Sequence, residues 1–275
     1  MDSGTNWTWL ERWRRWRRAR LLRRVMLPRS TWHRVVELSL ARHHLSAAEL
    51  GQLRELASLF LHEKTITGVD LVPTDLQRVT IAAFACLLIL ELDLSYYDGW
   101  YEVVLYPDTF VVRHQQVDDA GVVHEAASAL GGESWQRGPV ILSWADVTRG
   151  VAGYNVVLHE FAHKLDMASG VANGMPPLHE DMDHATWTRT FQQAFDRLRT
   201  EVAHHRSTWI DPYGAENPAE FFAVVSESFF ETPHELQRFD TALYDQLRQF
   251  YQQDPALRMP ETWHTHHDRQ PHQRQ

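Results

Sequence analysis

His159, Glu160 and His163 stand in the order H-E-x-x-H within Asn155-Val-Val-Leu-His-Glu-Phe-Ala-His-Lys-Leu-Asp-Met167. On a helix, residues four apart share a face, with Cβ atoms about 5–6 Å apart. Two neutral imidazoles at that separation can reach one tetrahedral zinc ion through bonds of about 2.0–2.1 Å. Glu160 follows the first histidine, where its carboxylate can take a proton from water activated by the metal. These residue types at this spacing suit metal-assisted hydrolysis, and they make zinc the expected cofactor. Two protein ligands are one short of the three that catalytic zinc sites use, so a third must come from elsewhere.

Three carboxylates compete for that place. Asp166 lies three residues past His163, and it can instead accept a hydrogen bond from a ligand histidine. Glu220 and Glu227 lie in Glu216-Asn-Pro-Ala-Glu-Phe-Phe-Ala-Val-Val-Ser-Glu227. There Asn217 is a suitable N-cap, Pro218 a suitable first helical residue, and Glu220 the third. In that position Glu220 can either close a capping box onto Asn217 or project toward a metal. Glu227, seven residues on, shares nearly the same helical face, and position alone leaves the two open.

The elements that must position these residues divide the chain. From Thr31 to about Ser95 the apolar spacing is helical. Ser46-Ala-Ala-Glu49 reads as a capping box, Asp75 as the cap of a following helix, and Val79–Leu92 as that helix's buried run. Cys86 falls inside it and reads as a buried, inert thiol. Between Gly99 and Trp144 the period changes to two, with strands expected at Trp100–Tyr106, Thr109–Arg113, Val122–Val123 and Val140–Trp144. With Pro107-Asp108 as a turn, the expectation is a small, largely antiparallel sheet in a mainly helical α+β fold. Its last strand lies shortly before the H-E-x-x-H helix, where it could edge the cleft and add an extended peptide as a further strand, or simply support that helix. The metal helix is expected from about Tyr154-Asn155 to before Gly170, and further helices over Thr186–Thr200 and Leu236–Tyr251.

The 275 residues carry 44% apolar side chains, enough for a substantial core. The net charge of −9 argues against general nucleic-acid affinity. A lone cysteine excludes an internal disulfide framework and agrees with a reducing, cytoplasmic compartment. Of the 17 histidines, pairs such as His43-His44 and His204-His205 read as surface residues. Arg12 to Arg24 interleaves arginine with Trp13, Trp16, Leu21 and Leu22, but lacks the apolar run and cleavage site of a signal peptide. It reads as a solvated arm, with an anionic lipid or nucleic-acid contact as the functional alternative. No stretch reads as a transmembrane segment. The polar, His-rich end past Pro255 reads as a disordered tail.

Several motifs in the same order resemble the Mlc titration factor A family. They are Leu158-His-Glu-Phe-Ala-His-Lys-Leu-Asp166, Glu133-Ser-Trp-Gln-Arg-Gly-Pro-Val140, Asn217-Pro-Ala-Glu-Phe-Phe-Ala-Val-Val-Ser-Glu227, Gly99-Trp-Tyr, Tyr106-Pro-Asp108 and Phe250-Tyr-Gln-Gln-Asp-Pro255. The resemblance covers about residues 25–255. It implies a zinc-dependent peptidase with a zincin-type core, similar to the anthrax lethal factor catalytic domain. It further implies that His159, His163 and Glu220 hold zinc, that Glu160 is the general base, and that Tyr213, seven residues before Glu220, assists catalysis. The chain is thus expected to divide into an Arg/Trp-rich arm over 1–25, a helical scaffold over 26–95, a zincin-like core over 96–255 and a tail over 256–275, and the arm and tail depart from the family, so the resemblance implies nothing for them. Peptide or protein substrates follow, with aminopeptidase-like action one form. The family's name adds a glucose-responsive transcriptional repressor as a partner, through which a member could regulate sugar uptake, or could act as a pure binder with zinc structural.

Overall fold

The computed structural model describes residues 19–108, 138–149 and 153–261, together with the backbone of 116–117 and 123–124. Most of the arm (1–18), the expected strand Thr109–Arg113, the Glu133–Arg137 part of one motif and the His-rich tail from residue 262 lie outside the described residues.

After a helical stretch over 19–25, α1 spans Arg29–Val35 and runs into a π-helical turn, Val36–Leu40. Helix α2, Ala47–Glu63, starts at the expected capping box: Ser46 Oγ accepts from Glu49 N while Glu49 Oε2 accepts from Ser46 N. Helix α3, Asp75–Leu88, is capped one residue earlier than expected. Thr74 is the N-cap and shares a capping box with Gln77, which leaves Asp75 as the first helical residue. From Val79 to Leu88 every residue of α3 is buried. Cys86 is among them, and burial pushes its thiol well above the usual range, where it is a poor nucleophile.

The sheet corrects the expected topology. Strands β1 (Thr65–Gly68), β2 (Glu102–Tyr106) and β3 (Val140–Ser143) form one three-stranded sheet in the order β1-β2-β3. Both pairings are parallel, with Ile66 beside Val103 and Val103 beside Val140. The overall fold is mainly helical, as expected, but the sheet is not largely antiparallel. Among the described residues, antiparallel pairing occurs only in the two-residue ladder Gln116–Val117 with Val123–His124. The reason lies in the connections. Parallel neighbours need a crossover, and α3 supplies it between β1 and β2. Strand β1 also sits inside the stretch whose apolar spacing reads as helical, too short to show its own period.

Helix α4, Val156–Asp166, carries the H-E-x-x-H residues and is followed by α5, His184–Ala203, and α6, Pro218–Glu231. The expected single helix Leu236–Tyr251 is two, α7 (Pro233–Phe239) and α8 (Thr241–Tyr251). Asp240 separates them, its side chain accepting from Leu243 N to open the second. A continuous apolar core joins α2, α3, the sheet and α4 to α5, α6 and α8, which pack around Phe222, Phe229 and Phe250. No helix among the described residues is long and apolar enough to cross a membrane.

Candidate metal centre

Two features orient α4. Its N-terminus is capped by Asn155, whose Oδ1 accepts from Val157 N and Leu158 N, both at 3.2 Å. Its back face is fixed by Phe161, fully buried with its ring 5.4–5.7 Å from the rings of Phe60, Tyr97 and Trp100. A buried phenylalanine contributes about 1.5–3 kcal/mol, and here it turns His159 and His163 to the opposite side. Helix α6 packs there. Its first turn is set by Asn217, whose Oδ1 accepts from Glu220 N at 3.0 Å. The cap therefore forms, but the Glu220 carboxylate points to the histidines.

Three atoms converge. His159 Nε2 lies 3.1 Å from Glu220 Oε2, His163 Nε2 lies 3.4 Å from the same oxygen, and the two Nε2 atoms are 3.2 Å apart. His159 is 2% exposed and His163 9%, with the Glu220 side chain at 17%. Burial raises the Glu220 carboxyl, but hydrogen bonds and charge from His159 and His163 outweigh it and hold the group well below the usual carboxylate range. The group is thus an anion at neutral pH, as a metal ligand must be.

Glu160 follows His159 and is half-buried. Lys164, one turn further, donates to Gly138 O at 2.8 Å. Burial lowers its pKa to about 8 against the opposing pull of the Glu160 charge. Tyr213 sits in the turn Pro212–Ala215, held by Asp211 Oδ1, which accepts from its backbone N. Its ring centre is 6.2 Å from that of His159, so it flanks the first histidine.

Asp166 and Glu227 lie elsewhere. Asp166 is fully buried and its Oδ2 accepts from Gly174 N at 2.7 Å. Burial raises its pKa to about 6. It anchors a loop in which Gly174, at φ +80°, passes so close to Pro218 that a Cβ would meet the carbonyl oxygen at 2.5 Å. That contact sets the loop against the first turn of α6. Glu227 faces the other ring nitrogen of His159, with Oε1 3.5 Å from Nδ1.

The sequence model of the family described as glucose-regulated metallo-peptidase M90 matches residues 13–252. The chain belongs to this family. An uncharacterized protein of Synechocystis sp. is 40% identical over 252 residues, covering 89% of this chain and 91% of that protein. Mlc titration factor A of Yersinia pestis is 35% identical over 253 residues, covering 86% of this chain and 93% of the relative. Its counterpart in Yersinia pseudotuberculosis matches equally. A metallo-peptidase family implies a metal, and in this M90 chain the donors fit one. Around tetrahedral zinc with bonds of about 2.0–2.1 Å, neighbouring ligand atoms stand about 3.3 Å apart, close to the three separations between these side chains. Two imidazole nitrogens and a carboxylate oxygen are also a donor set zinc takes. Among the described residues, His159, His163 and Glu220 form the group able to hold a metal ion.

Behind the metal cluster lies a buried polar group that the sequence reading did not anticipate. His43 is fully buried rather than on the surface, edge-on to Phe84 at 5.9 Å and 3.8 Å from Glu231 Oε1. His44, by contrast, is exposed. Glu231 Oε1 accepts from Asn155 Nδ2 at 2.9 Å and Oε2 pairs with Arg42 Nη2 at 2.9 Å. The available signal was a pair of carboxylates, Glu227 and Glu231, one turn apart in an otherwise apolar helix.

Burial pushes Glu231 up to about 7, against the Arg42 charge and the Asn155 hydrogen bond and with the Glu227 charge adding to it. The folded state therefore holds this proton more tightly than the unfolded chain, whose value is near 4.5. That contribution is complete below the unfolded value and is lost as pH rises through about 7. Urea unfolding of wild type and Glu231→Gln should show their stability difference moving against wild type across this window, by on the order of 1–3 kcal/mol. A flat difference would mean that Glu231 is ionised throughout.

Proposed function

We propose that this protein is a zinc peptidase that hydrolyses peptide bonds with water. The observation that carries the reading is the convergence of His159 Nε2, His163 Nε2 and Glu220 Oε2 at separations of 3.1–3.4 Å on two helices. These three atoms hold the ion. Zinc bound there supplies a Lewis acid that polarises a carbonyl and makes water more acidic. Glu160, adjacent on the same helix, takes the proton of the attacking water on its carboxylate and returns it to the nitrogen of the leaving amine. The hydroxyl of Tyr213 donates to the carbonyl oxygen as negative charge develops on it. Strand β3 is an edge strand among the described residues, with Ile141 exposed, and Lys164 ties its entry at Gly138 to α4. An extended peptide adding along β3 lies beside the metal helix, which favours peptide substrates. Aminopeptidase-like trimming in the cytoplasm is the form of activity we assign.

The name of the Yersinia relatives, Mlc titration factor A, supports a second reading, in which the protein binds a transcriptional repressor. In its strongest form the protein only sequesters the repressor and zinc is structural. A peptide-library digest separates the two. Cleavage by the zinc-loaded protein that stops on chelation and returns with zinc supports the peptidase. Stoichiometric zinc without cleavage supports the binder.

A further inference from the structure

We infer that Glu227 is a positioning residue that orients His159 toward the metal. The role rests on the metal site proposed above. The imidazole of His159 is addressed from both ends. Its Nε2 faces Glu220 and His163, and its Nδ1 faces Glu227 Oε1 at 3.5 Å. A neutral imidazole that ligates through Nε2 carries its proton on Nδ1, and an acceptor there fixes both tautomer and ring angle. Glu227 is 1% exposed, and its Oε1, which makes no hydrogen bond, lies 3.5 Å from Nδ1. A buried carboxylate in a helix of phenylalanine and valine is costly unless a polar hydrogen meets it. The Nδ1 proton of His159 is such a hydrogen.

The neighbouring contacts explain how Glu227 is held. Asn155 meets Glu231, His159 meets Glu227, and both histidines meet Glu220. Ascending numbers on α4 thus face descending numbers on α6, so the helices run antiparallel and carry three polar rungs. Arg42 braces the first of them, at Glu231, from outside the pair. Sliding either helix by one residue, about 1.5 Å, would misalign all three rungs together. The Asn155 rung joins the register of the two helices to the N-cap that starts α4.

The test uses the full chain and zinc itself. Glu227→Met keeps the volume and removes the acceptor, and replacing a buried charge by an apolar side chain of similar size tends to leave the fold intact. Glu227→Gln keeps an oxygen that can accept from Nδ1. Competition against a chromophoric chelator should show that Glu227→Met binds zinc about 10–100-fold more weakly, with saturating zinc still restoring the wild-type stoichiometry. Glu227→Gln should stay close to wild type. In the zinc-loaded protein the Nδ1 proton resonance of His159 should persist in wild type and Glu227→Gln and exchange away in Glu227→Met. Equal zinc affinity in Glu227→Met and wild type would overturn the positioning role and leave the metal site standing. Loss of zinc at saturation in both variants would overturn it by making Glu227 a ligand. A wild-type protein that holds no zinc would overturn the site and the role together.

Discussion

Glu160→Gln should retain its zinc and lose its hydrolysis. Glutamine matches the size of glutamate and keeps a polar end in a half-buried position, so the fold has little reason to change. The converging atoms belong to His159, His163 and Glu220, so metal content and zinc affinity should match wild type. What the variant lacks is a carboxylate able to accept a proton from water and pass it to the leaving nitrogen. General acid–base catalysis contributes about 10²–10⁴-fold, and the cleavage rate should fall by at least that factor. The effect should appear in kcat rather than KM, because the lost interaction belongs to the transition state. Metal analysis beside cleavage rates on a peptide drawn from the library digest decides the matter. Full activity in a zinc-loaded Glu160→Gln would remove Glu160 from the mechanism and leave the peptidase reading with a different base. A loss of zinc would instead make Glu160 part of the metal's support.

The parts of the site that were legible in the sequence are those that depend on local geometry. His159 and His163 share a face because they are four apart on a helix whose start Asn155 announces, and Phe161 between them marks the face that must be buried. Glu220 could be placed in a first turn because Asn217 and Pro218 specify it. What stayed closed depends on how elements meet. Seven residues turn a helix by about 700°, within about 20° of whole turns, so Glu220 and Glu227 face α4 together. They differ by about 10.5 Å along the axis, and only the register of α6 against α4 decides which ring nitrogen each one meets. The same holds for the sheet. Alternation in Glu102–Tyr106 tells which side chains share a face, yet it names neither the partner strands nor their direction. His43 was misjudged for a related reason. One histidine of a polar-looking pair is buried against Phe84 and 3.8 Å from Glu231, a neighbour whose place was not visible until α6 had packed.

Glu220→Ala gives the other large effect, and the local structure makes it a clean test. The N-cap bond runs from the Glu220 backbone N to Asn217 Oδ1, and alanine keeps that amide. Pro218 still opens the helix, so α6 should form without the carboxylate. In the absence of metal the variant should lose only the contacts of its carboxylate with His159 and His163, so each protein's metal-free form serves as its own baseline. The difference should emerge when zinc is added. A ligand at 100 times its dissociation constant stabilises the folded state by about 2.7 kcal/mol, which for a chain of this size is a melting shift of roughly 5–10 °C. Wild type should show that shift, and Glu220→Ala should show little of it, because two imidazoles alone leave the ion without its anionic ligand. Glu227→Gln should keep the shift, since its side chain meets His159 on the Nδ1 side, away from the converging atoms. Differential scanning of the three proteins with and without zinc reads all of this at once. The reverse pattern, a full shift in Glu220→Ala and none in Glu227→Gln, would move the third ligand one helical stretch along α6. It would also require α4 and α6 to pack in a different register from the one that Asn155 and Glu231 hold.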